Sequence, residues 1–488
     1  MTVRCVREPD RIALAAYDEE MRATLERELK LEPELGFALP ELPGEPLEPR
    51  LFTSTYYDTP PRSLARCGIT LRRRVENGLS CWQLKLPHDS ARTELEAAGG
   101  PAGPPPELEA LLAAHLRYGS VEPVATLRTR RVGVRVVAGD RRLADVVLDS
   151  VDVLDDGHTA AAFAELEVEL VEGDDGDLER LSRVLRHAGA QRGNGRPKVL
   201  RVLDLEDERP PRKQAPDVEH LRFLLSRQLR ELETWDPGVR LGTDPEDLHR
   251  FRVATRRGRA LIRASRPLVG KRLTELNGEL RWLGSLLGPV RDLDVLIAHL
   301  RSLQPSLGDD ARGAELVVAE LEEERASMQD RLVQALTSDR YLALLDRFAA
   351  DVEALAQESP HVKLVEVAQR EANKVRKAYR ALGPDSDDAA VHELRKKAKR
   401  ARYAAELAAL AEGKPLRKVV DALKKLQDIA GEHQDAVVTE DRVRKAARAR
   451  SALAAGRIVA AERERKAAAR DELPKVWKRV RRAFERAF

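Results

Sequence analysis

The stretch Leu248-His249-Arg250-Phe251-Arg252-Val253-Ala254-Thr255-Arg256-Arg257-Gly258-Arg259 recurs as Val391-His392-Glu393-Leu394-Arg395-Lys396-Lys397-Ala398-Lys399-Arg400-Ala401-Arg402, at an offset of 143 residues from His249 to His392. The same offset, without a gap, pairs Gly270-Lys271 with Gly413-Lys414, Leu280 with Leu423, Leu283 with Leu426, Gly288 with Gly431, Asp292 with Asp435 and Val295 with Val438. About a quarter of positions 248–295 match their partners, and many of the identities are polar or glycine, which core packing does not demand. The chain therefore contains a duplicated unit whose shared feature is a His/Arg/Lys helix face.

In helical geometry His249, Arg252, Arg256, Arg259 and Arg263 share one stripe, while Leu248, Phe251, Leu261 and Ile262 lie on a side suited to a core. The second copy places His392, Arg395, Lys399 and Arg402 on its stripe, breaks it at Glu406, and turns Val391, Leu394, Ala398, Ala401 and Ala405 inward. Arg257 and Arg400 broaden the two basic faces. The next equivalent helices, 280–287 and 423–429, are expected to end near Gly288 and Gly431. A cationic stripe on one helix is ordinarily a solvated face, with Asp292 and Asp435 as ion-pair partners. Duplication weighs against that reading, because the His and Arg positions are kept while neighbours drift, as Arg250 against Glu393. A linear polyanion suits two such stripes, through multivalent, salt-dependent attraction. A metal does not, since no second His lies four residues from either helix His and the basic neighbours repel cations. No nucleophile is paired with either His.

Helical periodicity covers 217–488, and the repeat divides it into halves of about 217–357 and 358–488. Residues 439–488 form a basic, Ala-rich tail with Trp477, read as packing of the last helices; nothing in it resembles a base-reading module, so nucleic acid is an unlikely partner. Residues 205–216 are polar and Pro-rich and mark a linker. Residues 21–204 are strand-rich. Strands are expected at 79–86, 132–137, 143–153 and 162–170, and helices at 107–116 and 177–187.

Several of these strands carry charge on alternate residues, and hence on one face. The rows are Glu26, Glu28 and Lys30; Arg72 and Arg74; Arg92, Glu94 and Glu96; Arg128 and Arg130; Glu165, Glu167 and Glu169. Any single row suits a solvated sheet face with ion pairs worth at most about 1 kcal/mol each. Five rows of both signs in one domain favour a β-barrel with a charged interior. There, acidic rows would hold a hard divalent cation such as Mg²⁺ or Mn²⁺, and basic rows a polyanion. Metal, Arg and Lys together stabilise charge developing in phosphoryl transfer.

The bulk numbers fit two or three domains: 488 residues, 34% charged, only 4% aromatic, net charge +3. Near-neutral net charge makes any basic surface local. Cys5, Cys67 and Cys81 have no metal-ligand spacing and suit a reducing cytoplasm. No apolar run is long enough to span a membrane and no signal peptide is evident, so a cytoplasmic protein is expected. Met1 and Met21 are both open as the start.

Glu26-x-Glu28-x-Lys30 resembles the ExExK signature of the CYTH superfamily, the triphosphate tunnel metalloenzymes, which include inorganic triphosphatases, thiamine triphosphatases and class IV adenylate cyclases. Tyr56-Tyr57-Asp58-Thr59-Pro60, Leu71-Arg72-Arg73-Arg74, Trp82-Gln83-Leu84-Lys85, Arg92-Thr93-Glu94, Arg128-Thr129-Arg130 and Glu165-Leu166-Glu167-Val168-Glu169 follow in the family's order, with Lys198 at its late basic position. The resemblance implies an eight-stranded antiparallel tunnel. Glu26 and Glu28, with some of Glu165, Glu167 and Glu169, would ligate the metal. Lys30, Arg72, Arg74, Lys85, Arg128, Arg130 and Lys198 would bind phosphates. Glu94 would be a metal ligand or a water-orienting base.

Residues 217–488 resemble the CHAD domain, the conserved histidine α-helical domain, through His249-x-x-Arg252-x-x-x-Arg256-Arg257, His392-x-x-Arg395-x-x-x-Lys399-Arg400, Gly288-Pro289-Val290-Arg291-Asp292 and Gly431-Glu432-His433-Gln434-Asp435. This implies two pseudo-symmetric four-helix bundles whose basic faces bind inorganic polyphosphate through His249, Arg252, Arg256, Arg257, Arg259, His392, Arg395, Lys399, Arg400 and Arg402. Lys399 and Gln434 depart from the Arg found at the matching positions of the first copy. The combined expectation is an α+β multidomain protein that hydrolyses triphosphate or a related phosphoanhydride, binds polyphosphate and associates with polyphosphate granules. A non-catalytic polyphosphate scaffold and an adenylate cyclase are the rivals.

Overall fold

The computed structural model describes residues 21–88, 91–193, 195–203, 205, 208–308, 311–355, 363–383, 386–448 and 451–488. Met1, Cys5 and parts of the 205–216 linker lie outside them, as does the boundary near 357. One compact unit comprises the chain up to Asp207 with Glu233–Asp247, and the other Glu208–Leu232 with Leu248–Phe488.

The first unit runs β1 (Arg22–Glu26), β2 (Glu28–Pro33), β3 (Gly44–Asp58), α1 (Ser63–Arg66), β4 (Thr70–Glu76), β5 (Leu79–His88), β6 (Ala91–Ala98), α2 (Pro106–Leu111), α3 (Ala113–Leu116), β7 (Glu122–Ala138), β8 (Arg141–Asp155), β9 (His158–Leu170), α4 (Asp175–His187) and β10 (Ala190–Arg192), then a 3-10 turn at Lys198–Arg201. Its strands form one antiparallel sheet in the order β1-β6-β5-β4-β3-β7-β8-β9-β2-β10. This corrects the expected eight-stranded closed tunnel: among the described residues there are ten strands, and no ladder joins β1 to β2. The count differs for two reasons. The run 22–33 divides at Arg27, pairing first with β6 and then with β9, and the three-residue β10 adds outside β2. Because one chain run serves both flanks, the sheet curls until they meet at Arg27, whose carbonyl accepts from Leu170 N–H at 2.9 Å.

Alternation sorts the two faces. Trp82, Leu84 and Leu95 pack outward on Leu108, Leu111 and Leu112 of the α2–α3 segment. Val146, Leu166 and Val168 pack outward on Leu181 and Leu185 of α4. The intervening residues, including Gln83, Lys85, Asp145, Glu165 and Glu167, are thereby turned to the inner face. The single helix expected at 107–116 forms in two pieces about Leu112.

The second unit holds most of α5 (Asp217–Leu241) and α6 (Pro245–Val269), with α7 (Thr274–Leu307), α8 (Ala311–Leu336), α9 (Asp339–Ala354), α10 (Leu364–Arg380), α11 (Asp388–Glu412), α12 (Lys414–Ala446) and α13 (Ala452–Ala487). Helices α6 and α11 begin and end at positions equated by the offset. Asp387 caps α11 by accepting from Ala390 N–H at 2.8 Å, and its counterpart Asp244 accepts from Glu246 N–H at 2.8 Å. Gly270 and Gly413, which follow the two helices, have positive φ, which accounts for glycine in both copies. The expected core residues of both copies are buried. Helices α7 and α12 do not stop at Gly288 and Gly431 but continue through them. Leu293, Leu300, Val317, Val443, Ala454 and Ile458 form one core shared by α7, α8, α12 and α13, so the two halves are joined by common packing.

Candidate functional site

The inner face of the sheet gathers charge of both signs. Lys30 Nζ contacts Glu167, Glu165 at 3.1 Å and Glu28 at 3.4 Å. Lys85 Nζ bonds Glu26 and lies 3.6 Å from Glu94. Arg72 donates to Gln83 Oε1 at 2.7 Å and Tyr56 Oη at 3.2 Å, with Glu94 at 3.8 Å. Arg74 donates to Glu76 at 2.8 Å and sits over the Phe52 ring. Lys198 reaches in from its turn to Glu167 at 2.7 Å, Glu165 at 2.9 Å and Asp149 at 3.0 Å. Eleven of the sequence-predicted residues, Glu26, Glu28, Lys30, Arg72, Arg74, Lys85, Glu94, Glu165, Glu167, Glu169 and Lys198, therefore meet on one face.

Carboxylate oxygens of Glu28, Glu167 and Glu169 all lie within 4.8 Å of one another. Burial alone would raise the pKa of Glu167, but Lys198, Lys30 and Arg131 hold it far below the usual carboxylate range. Glu26 behaves oppositely. Burial pushes its pKa up to about 8, Lys85 opposes the rise, and Glu94 and Glu169 add to it. Glu94 Oε1 is buried without a hydrogen-bond partner. A region with surplus buried carboxylate, an orphaned oxygen and three convergent oxygen donors fits a hard divalent cation.

Two predicted phosphate ligands are misplaced. Arg128 and Arg130 are exposed, and Arg128 pairs with Asp152 at 2.9 Å on the outer side. The inward rank of β7 falls on the odd positions. Arg131 is the arginine that enters, donating to Asp149 twice at 2.7 Å, to Glu167 at 2.6 Å and to Glu169 at 3.2 Å. Arg135 follows it, bonded to the fully buried Asp145 at 2.8 Å. The sequence reading missed Arg131, Asp145 and Asp149. The signal was available as parity: Asp145 and Asp149 alternate with Val146 and Leu148, and they pair in register with Glu169 and Glu165.

In the second unit the two basic stripes act on one another. Lys399 is pushed down to about 6 by burial and by Arg256, Arg395, Arg252 and Arg263. Arg252 is lowered by burial, with Arg256, Arg291 and Arg395 in the same direction and Asp292, at 2.9 Å, opposing. Asp435 lies in the field of Arg395 and Arg252. Gly431 of α12 lies beside Arg395, whose Nη2 is 3.5 Å from where a Cβ on that glycine would stand. Buried Nε atoms of Arg256, Arg257, Arg259 and Arg402, and Nδ1 of His392, have no hydrogen-bond partner among the described residues. Arg257 also bonds Glu406, the residue that breaks the second stripe. Arg400 is exposed and lowers Arg263, and His249 sits half-buried on the same helix. The stripes thus combine clustered like charges with buried N–H groups that have no acceptor among the described residues.

Comparison with known proteins follows the same division. The CYTH domain model matches residues 24–194 and the CHAD domain model residues 223–444. An uncharacterized protein of Mycobacterium tuberculosis strain H37Rv is 33% identical over 424 residues, covering 80% of this chain and 80% of the relative. The CHAD domain from the plant Ricinus communis is 25% identical with a TM-score of 0.47, covering 57% of this chain and 97% of its own. PptA from Streptomyces chartreusis is 22% identical with a TM-score of 0.44, covering 54% and 100%. Among the described residues no helix is long and apolar enough to cross a membrane.

Proposed function

We propose, for a chain that belongs to the CYTH and CHAD domain families, that the first unit hydrolyses inorganic triphosphate or a related phosphoanhydride, and that the second binds inorganic polyphosphate. The carrying observation is the inner face on which Glu28, Glu167 and Glu169 converge beside Lys30, Lys85, Arg72 and Arg131. Lys30, Lys85 and Arg131 bond the carboxylates, and Arg72 bonds Gln83 and Tyr56. A triphosphate supplies replacement acceptors for the cations and frees the carboxylates for a divalent ion. Glu28, Glu167 and Glu169, with Glu26 and Glu94 beside them, would hold Mg²⁺ or Mn²⁺, which when bound supplies charge neutralisation and a polarised water. Lys85 and Arg72 then face developing negative charge on the phosphate oxygens, and Lys30 and Arg131 the oxygens nearer Glu167. Low exposure strengthens each of these attractions. Polyphosphate binding rests on the unused arginine donors of the duplicated helices, and it would bring the protein to polyphosphate granules.

Phosphate release from triphosphate, thiamine triphosphate and ATP, with each metal, tests the first half. Glu26→Ala with Glu28→Ala should reduce turnover to background while polyphosphate still binds. No release from any substrate would sink the enzymatic reading in favour of a scaffold. Pyrophosphate with a cyclic nucleotide from ATP would favour a cyclase. Competition between polyphosphate and DNA at matched salt tests the second half.

A further inference from the structure

The two basic helices are not equivalent where they face one another. Helices α6 and α11 have matching bounds, Pro245–Val269 and Asp388–Glu412, so exchanging the copies superimposes them residue on residue. The exchange carries Arg257 onto Arg400 and Glu406 onto Arg263. Arg257 Nη2 donates to Glu406 Oε1 across the two copies. That contact therefore has a mate on the other side of the repeat axis, and the mate sets Arg400 against Arg263. Partial burial, and then Arg400, lower the pKa of Arg263, while Tyr403 opposes.

The two mates have opposite character. Arg257 and Glu406 neutralise one another in a half-buried pair. Arg263 spends its Nε on the Arg259 carbonyl at 3.2 Å. Among the described residues neither Arg263 nor Arg400 has a carboxylate partner, and both side chains reach solvent. Two guanidiniums held near each other repel. A phosphoryl group that bridges them removes the repulsion and gains charge-assisted hydrogen bonds. At the opposite end an incoming anion meets a guanidinium already engaged and a carboxylate that repels it.

We infer that the duplicated clamp is polar: Arg263 and Arg400 form a phosphoryl subsite at one end, and Glu406 closes the other end by holding Arg257 and repelling phosphate. This deepens the polyphosphate reading above and rests on it. Glu406 limits how many arginines one chain engages and sets where along the helices that chain lies.

Two measurements on the full-length protein test this. The first is filter binding of polyphosphate of uniform length across a salt series. Glu406→Gln should raise affinity by about threefold or more and steepen the salt slope by about one, because Arg257 then adds a contact. Glu412→Gln removes the same charge from the exposed end of the same helix and should leave the slope as it was. Equal behaviour of the two variants overturns the inference. The second measurement needs no variant. Arginine modification by phenylglyoxal, read by peptide mass spectrometry, should be slowed by polyphosphate at Arg263 and Arg400 and much less at Arg257. Equal slowing at all three, or slowing at Arg257 alone, overturns the inference and leaves polyphosphate binding in place. If polyphosphate does not bind the wild-type protein at low salt, the polyphosphate reading falls and the inference falls with it.

Discussion

Lys399 stands where the first copy has Arg256, and the substitution changes chemistry as well as shape. Burial and four surrounding arginines bring its pKa down to about 6, below neutral pH. A bound polyanion restores the charge and raises the pKa. Binding therefore takes up a proton above pH 6, and affinity should fall by up to about tenfold per pH unit until the bound-state pKa is passed. Calorimetry in two buffers of different protonation enthalpy should register that proton. Lys399→Arg should remove both the uptake and the pH slope while keeping binding, because guanidinium stays charged. Equal proton uptake in the variant would discard Lys399 as the source. Arg131 makes a second residue-scale case. It is mostly buried against the fully buried Asp149, whereas Arg130 is exposed. Arg131→Ala should lower unfolding stability by about 2–3 kcal/mol in denaturant titration, and Arg130→Ala by less than about 0.5 kcal/mol.

Helices α6 and α11 were the most legible elements. A gapless repeat fixed their phase, and the buried residues Phe251, Leu261, Leu394 and Ala398 lie on the side the spacing predicts. The glutamate row of β9 was legible for a similar reason, since three charges at period two can share only one face. Strand β7 was not. In Arg128-Thr129-Arg130-Arg131 both parities carry arginine, so only the burial of Leu127 and Thr129 identifies the inner rank. The curl at Arg27 was also hidden, because one run pairing with two distant strands leaves no local mark. Nor do Gly288 and Gly431 end their helices, since glycine inside a helix costs only about 1 kcal/mol against alanine, less than the surrounding packing supplies. The two helices make a joint prediction. Arg252→Ala with Arg395→Ala removes two charges and eases the suppression of Lys399, while burial and Arg256 continue to lower its pKa. Polyphosphate affinity should drop by about tenfold or more and the salt slope should fall by about two, because Lys399 is charged in the bound state with or without the two arginines. Filter binding across a salt series measures both. An unchanged affinity would return the stripes to solvated surface.

At the scale of the whole molecule, and on the function proposed above, a long polyphosphate offers the arginine stripes many units, whereas hydrolysis needs the chain at the charged face. On that function, a chain held at the stripes is presented to the charged face as a tethered substrate. For flexible connections such tethering gives effective concentrations in the millimolar range. Triphosphate gains nothing from this, because a molecule bound at the stripes has no further length to offer. Wild-type protein should therefore show a lower KM for long chains, counted as molecules, than for triphosphate, by roughly tenfold or more. Arg252→Ala with Arg395→Ala should raise the long-chain KM toward the triphosphate value with kcat little changed, and should leave triphosphate kinetics as they were. Steady-state orthophosphate release on both substrates reads the split, since loss of binding that is equal in ground and transition states appears in KM alone. If the double variant lost activity on both substrates alike, the stripes would be part of the fold's support and tethering would not explain the pairing of the two units. If it lost activity on neither, the two units would act independently. On the proposed function, what one chain adds to the pair is retention of the substrate by a surface that does not cut it.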